Sequence, residues 1–82
     1  MIKNKRTVLE LINNLKSFPE DMLVLTDGYE DGYEHILAPE MMEVSHKPEN
    51  PYYSGEFQMK ENDDIQTIKA VVIFRNRRDN PL

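Results

Sequence analysis

The chain contains no cysteine. That excludes disulfides, thiolate nucleophiles and sulfur-ligated zinc or iron–sulfur centres together. A small secreted domain usually carries disulfide staples, so a cytoplasmic location is expected. Glycine is scarce. Gly28, Gly32 and Gly55 are the only three, and none has the strand-to-helix spacing of a loop that cradles phosphate. Long apolar runs are also missing, and nothing approaches the roughly 20 residues a membrane helix needs. The start, Met1 to Arg6, is basic like the beginning of a signal peptide. However, Glu10 and Asn13-Asn14 interrupt the apolar run that would have to follow. No membrane partner and no targeting segment are expected.

What is present suits one domain, residues 1–82. With 39% hydrophobic residues over 82 positions, two cores would each bury too little to offset chain entropy. Chains this small bury only roughly 60% of their unfolded surface and often gain stability by association, so a homodimer or small homo-oligomer is expected. The net charge of −5 is unevenly spread. Residues 1–18 and 65–82 are each net +3, while residues 19–64 are net −11. The acidic middle opposes phosphate contact, so nucleic acid is not an expected partner. The opposed blocks permit self-association.

Thr7-Val8-Leu9-Glu10 has the form of a capping box. Val8, Leu11, Ile12 and Leu15 recur at helical spacing, which predicts a helix over about 7–17 with that stripe facing the core, stopped by Pro19. Met22 to Thr26 and Ile68 to Phe74 are short apolar runs expected as central strands, over about 22–26 and 68–75. Met41 to Lys47 alternates and is expected as a half-exposed edge strand. Residues 27–40 and 48–64 read as loops, with Tyr52-Tyr53 and Phe57 to Met59 able to form a short hairpin, and 76–82 as a polar tail. The fold class expected is α+β: one N-terminal helix packed on a small, mainly antiparallel sheet of three to four strands.

Thr7-Val8-x-Glu10-Leu11-Ile12-x-x-Leu15, followed by Phe18-Pro19-x-Asp21-x-x-Val24-x-x-x-Gly28-Tyr29-Glu30-x-Gly32-Tyr33-x-x-Ile36, resembles a family of small uncharacterised bacterial and prophage-associated proteins. Those proteins carry an N-terminal helix and strand followed by a Gly-Tyr-Glu-x-Gly-Tyr segment. The resemblance covers residues 7–36. It implies a fold and a mobile-element setting but no mechanism. Asp31 stands where that pattern has a second glycine, and His35 where it has an acid.

Catalytic groups are harder to assemble. Ser17 ends a helix, Ser45 lies on a strand, and Ser54 precedes Gly55 without a nucleophile-elbow pattern, so no triad and no catalytic residue can be named. Asp27, Glu30, Asp31 and Glu34 could supply oxygen ligands to a hard cation. The calcium-loop template fails with Tyr29 at its third position and Ala38 at its twelfth. Asp27, Asp31, Glu34 and His35 remain an alternative metal set, as in a metal-dependent hydrolase or metal-binding protein; Glu34 with His35 and His46 has no fixed ligand spacing. The aromatics are the better lead. Tyr29, Glu30 and Tyr33 in a glycine-punctuated loop, with Tyr52 and Tyr53 further on, offer amphipathic surface for a small ligand or a protein partner; equally, Tyr33 and one of Tyr52-Tyr53 could close the core. The function expected is therefore a non-enzymatic binding or interaction module without cofactor, a phage or prophage accessory factor that sequesters or blocks a partner or small ligand.

Overall fold

The structure is a computed structural model that describes residues 5–77. It is an α+β fold with one helix, α1 (Val8–Leu15), and five strands: β1 (Leu25–Asp27), β2 (Tyr33–His35), β3 (Glu40–His46), β4 (Phe57–Met59) and β5 (Ile68–Val72). A single 3₁₀ turn covers Tyr52–Ser54. No helix among the described residues is long and apolar enough to cross a membrane.

The capping box forms as the sequence predicts. The Glu10 backbone N–H donates to Thr7 Oγ1 at 3.2 Å, and the Thr7 backbone N–H donates to Glu10 Oε1 at 3.0 Å. Two otherwise unpaired donors of the first turn are thereby satisfied. The Thr7 N–H, with smaller help from its hydroxyl, holds the Glu10 carboxyl below its ordinary pKa. The helix closes at Leu15, short of the expected Ser17. There, Ser17 and Phe18 turn back onto the carbonyls of Asn14 and Leu15 ahead of Pro19, which cannot continue the ladder.

The strands form two antiparallel sheets, β1-β2 and β4-β3-β5. A bridge between Ile36 and Arg75 joins them. It runs on from the β3–β5 ladder with a one-residue offset from the Glu40–Val72 pair. Residues 33–46 thus behave as one long bent strand, with 68–76 along one side and β1 and β4 each pairing with one half of the other. The extra residue falls in Leu37-Ala38-Pro39, where proline lacks the N–H a regular ladder would use. Backbone bonds resume beyond it, Leu37 N to Phe74 O at 2.8 Å and Asn76 N to His35 O at 2.7 Å.

Several expectations are corrected here. Met41 to Lys47, read as an edge, is the centre of the three-stranded sheet, because β4 and β5 occupy both of its sides. Ile68 to Phe74, read as central, supplies β5 at an edge. Met22 to Thr26 contributes only its end to β1, an outer strand paired with β2 alone. The expected loop 27–40 contains β2, and the loop 48–64 contains the 3₁₀ turn and β4. The tail 76–82 begins paired at Asn76, and beyond Arg77 it lies outside the described residues.

The centre of the molecule is thin. Among the described residues Val44 is the one buried hydrophobic, 8% exposed, flanked by its register partners Met59 and Ile68. The stripe expected to face the core does not reach one, and α1 buries no residue. The radius of gyration, 15.0 Å, exceeds the roughly 12 Å typical of a compact chain of this length. The surface, 7833 Å², exceeds the roughly 5,100 Å² of a monomeric protein of this mass.

Candidate functional site

The first candidate region is the hairpin joining β1 to β2. The Gly32 N–H donates to Tyr29 O at 2.9 Å, and the two residues between, Glu30 and Asp31, have φ of 54° and 64°. This is a type I′ turn, whose twist matches that of its strands but which ordinarily takes asparagine or glycine at its centre. The strand register pairs Asp27 with Tyr33, leaving one additional residue on the Gly28-Tyr29 side. A Cβ added at Gly28 would lie 3.0 Å from Glu34 Cγ and 3.4 Å from the Tyr33 carbonyl carbon, so the Glu34 side chain would have to give way.

That geometry lifts Tyr29, Glu30 and Tyr33 into solvent, with Tyr33 69% exposed. Arg75 comes from the far strand and sets its guanidinium carbon 4.1 Å from the centre of the Tyr29 ring. A cation over the ring face is attracted by the ring quadrupole, so Arg75 orients Tyr29 and places positive charge beside an acidic turn. Asp27, Asp31 and Tyr33 line a shallow depression with Gly28 and Gly32.

The proposed metal ligands are not assembled into one set. Glu34 and His35 are consecutive on β2 and project to opposite faces. Among the described residues, no group of three or more His, Asp or Glu side chains is placed to hold a metal ion.

Tyr52 and Tyr53 belong elsewhere. They sit on the 3₁₀ turn between β3 and β4, with ring centres 5.5 Å apart edge to face. The β1–β2 hairpin is attached at one end of the 33–46 stretch and this turn follows the other, so the two tyrosine pairs form two surfaces. All four tyrosines are exposed.

A third cluster lies along β3. His46 stacks on its cross-strand partner Phe57, with ring centres 4.8 Å apart, and its Nε2 lies 2.6 Å from Glu56 Oε2. Ser45 is buried, and its hydroxyl donates to Asp64 Oδ2. Asp64 Oδ2 also accepts the Glu61 N–H at 2.8 Å, while Lys47 Nζ lies 3.4 Å from Oδ1. The Ser45 hydrogen bond, ahead of the Glu61 N–H and Lys47, holds the Asp64 carboxyl below its ordinary range.

Serine, histidine and aspartate are thus close in space without forming a triad. Ser45 and His46 are neighbours on one strand and face opposite ways, and the base-oriented hydrogen bond a nucleophile needs is absent from this pair. A carboxyl of lowered pKa is also a poor general base near neutrality. The cluster ties the 60–67 connection back to the central strand.

The fourth region is apolar. From Val8 to Leu25, the side chains of Val8, Leu9, Leu11, Ile12, Leu15, Phe18, Met22, Leu23, Val24 and Leu25 all remain exposed, from 37% at Leu11 to 65% at Leu9 and Leu23.

The chain matches no protein-family model, no curated protein and no solved structure. The sequence pattern offers Tyr29, Glu30 and Tyr33 as one candidate set with Tyr52 and Tyr53; the first three share the hairpin and the last two lie apart from it. Sequence reasoning missed Arg75, whose approach depends on a pairing across nearly forty positions that no local pattern encodes. It saw the stripe of α1 but assigned it to an internal core.

Proposed function

We propose that this chain is a non-enzymatic interaction module, acting in the cytoplasm through protein contact. The observation that carries the reading is the disposition of apolar groups: among hydrophobic side chains of the described residues only Val44 is buried, while a run from Val8 to Leu25 and four tyrosines face water. Exposed apolar area of this extent marks interaction surface in soluble proteins. The hairpin adds a directional element. Tyr29, fixed by Arg75, stands with Glu30 and Tyr33 at its tip, combining aromatic area with hydrogen-bonding groups as recognition surfaces do.

The setting implied by the Gly-Tyr-Glu-x-Gly-Tyr resemblance, a phage or prophage accessory factor that sequesters or blocks a partner, belongs to the same proposal. Pull-down with native mass spectrometry tests it. Wild-type chain should retain a partner from a bacterial lysate that Tyr29→Ala/Tyr33→Ala releases, with the circular-dichroism spectrum unchanged. Turnover of a substrate panel, abolished by the same pair of substitutions, rejects the reading in favour of an enzyme.

A further inference from the structure

Around α1, charge and apolarity follow one another in a fixed order. Lys5 and Arg6 precede the helix; Val8, Leu11, Ile12 and Leu15 line two turns of it, about 12 Å; and Glu20 and Asp21 follow Pro19. Lys16 lies between the stripe and the acidic pair, leaving the segment 16–21 net negative. A two-fold interface requires a surface complementary to itself when its direction is reversed. This segment meets that requirement: turned end for end, its basic start lies beside an acidic finish, whereas a parallel arrangement would set Lys5 and Arg6 against their own copies.

The area agrees. The chain exposes roughly 2,700 Å² more than a monomer of its mass should. A standard interface removes roughly 800 Å² per partner, and obligate homodimers remove up to roughly 2,500 Å². The chain therefore has exposed surface enough to bury an interface with one additional copy.

We infer that the apolar face of α1 is covered by a second copy of this chain, the two helices antiparallel about a two-fold axis, with Lys5 and Arg6 of each copy against Glu20 and Asp21 of the other. The inference rests on the interaction-module reading and names the first partner of that module. Apolar packing supplies the stability, and the charges, screened beyond about 10 Å at 0.1 M salt, supply the direction.

Sedimentation equilibrium of the full chain tests it. The expected mass is twice the chain's 9.7 kDa, and I12E, which places a charge at the centre of the face, should weaken the dimer by about tenfold or more. Charge reversal fixes the direction without touching the apolar face. K5E/R6E and E20K/D21K should each weaken association at low salt, and the fourfold variant should restore it. A dimer indifferent to I12E, or a fourfold variant no tighter than either pair, overturns the assignment. A monomer at high micromolar concentration also overturns it, and an apolar dye then separates the two readings. Dye bound by wild type and lost in I12E keeps the module and rejects the second copy. No dye bound rejects both.

Discussion

The buried hydroxyl of Ser45 donates to the carboxylate of Asp64, nineteen residues away, and so fastens the connection between β4 and β5 to the centre of the sheet. Hydrogen bonds from Ser45 and the Glu61 N–H, with Lys47 beside them, favour the ionised carboxylate. Its pKa is accordingly lowered from the ordinary aspartate value, chiefly by the Ser45 hydrogen bond. A carboxyl with a depressed folded-state pKa binds protons less readily in the folded than in the unfolded chain. Its stabilisation is present in full above the unfolded value of about 3.9 and disappears as pH falls through the folded one. In an NMR titration, Asp64 should therefore titrate below the ordinary aspartate value, and S45A should move it upward. An Asp64 titration unaffected by S45A would assign the shift to Glu61 and Lys47 instead.

A second fastening closes the β3–β4 connection. Asn50 Nδ2 donates to Gly55 O at 3.0 Å and to Gln58 Oε1 at 3.3 Å, and Lys47 N donates to Glu56 O at 2.7 Å. The chain re-enters β4 through Gly55 at φ 77°, ψ 158°, a region only glycine occupies without strain. G55A should cost about 1–3 kcal/mol. Space is not the cause, because the nearest atom to an added Cβ is Phe57 O at 3.6 Å. Chemical denaturation measures the loss, and a G55A variant as stable as wild type would show that the turn takes another conformation.

These fastenings explain what could be read from the sequence. The cap at Thr7 and Glu10 was legible because all its atoms lie within four residues. The alternation of Met42 and Val44 gave β3 its faces but not its place, since the partners of Val44 are Met59 and Ile68, and long-range pairing leaves no local signature. Apolar runs are ordinarily evidence of centrality, and here they misled. Met22 to Thr26 gives only Leu25 and Thr26 to the outer strand β1, and Ile68 to Val72, apolar but for Lys69, forms an edge strand. The α1 stripe misled in the same way. The Tyr29 and Tyr33 surface was legible because glycine punctuation marks a turn, whereas Arg75 above Tyr29 was not.

The hairpin turn carries strain of its own. Glu30 and Asp31 both hold positive φ, at about 1–2 kcal/mol for each non-glycine residue. Aspartate tolerates the left-handed region better than glutamate, so Asp31 holds the lesser strain. D31G removes it but adds backbone freedom to the unfolded chain, at about 0.5–1 kcal/mol. The net expectation is a gain of up to about 1 kcal/mol, visible as a higher melting temperature. A fall on D31G would mean that the Asp31 carboxylate makes a contact worth more than the strain.

The last prediction concerns how firmly Tyr29 is held. Arg75 reaches it from the strand that pairs with Ile36, with the guanidinium carbon 4.1 Å above the ring. The ring is 61% exposed, so water competes for the cation and the attraction is about 0.5–1 kcal/mol. A double-mutant cycle of Y29A and R75A, followed by denaturation, should return a coupling of that size, because the pair is in direct contact and the single changes cannot add. R75K retains charge but loses the planar group that stacks on the ring, and should recover less than half of the coupling. If the attraction were only Coulombic toward the neighbouring Glu30 and Asp31, it would persist in Y29A and the cycle would return no coupling. A coupling that survives high salt and is lost in R75K assigns the contact to the ring, and with it the fixed presentation of Tyr29 at the hairpin tip.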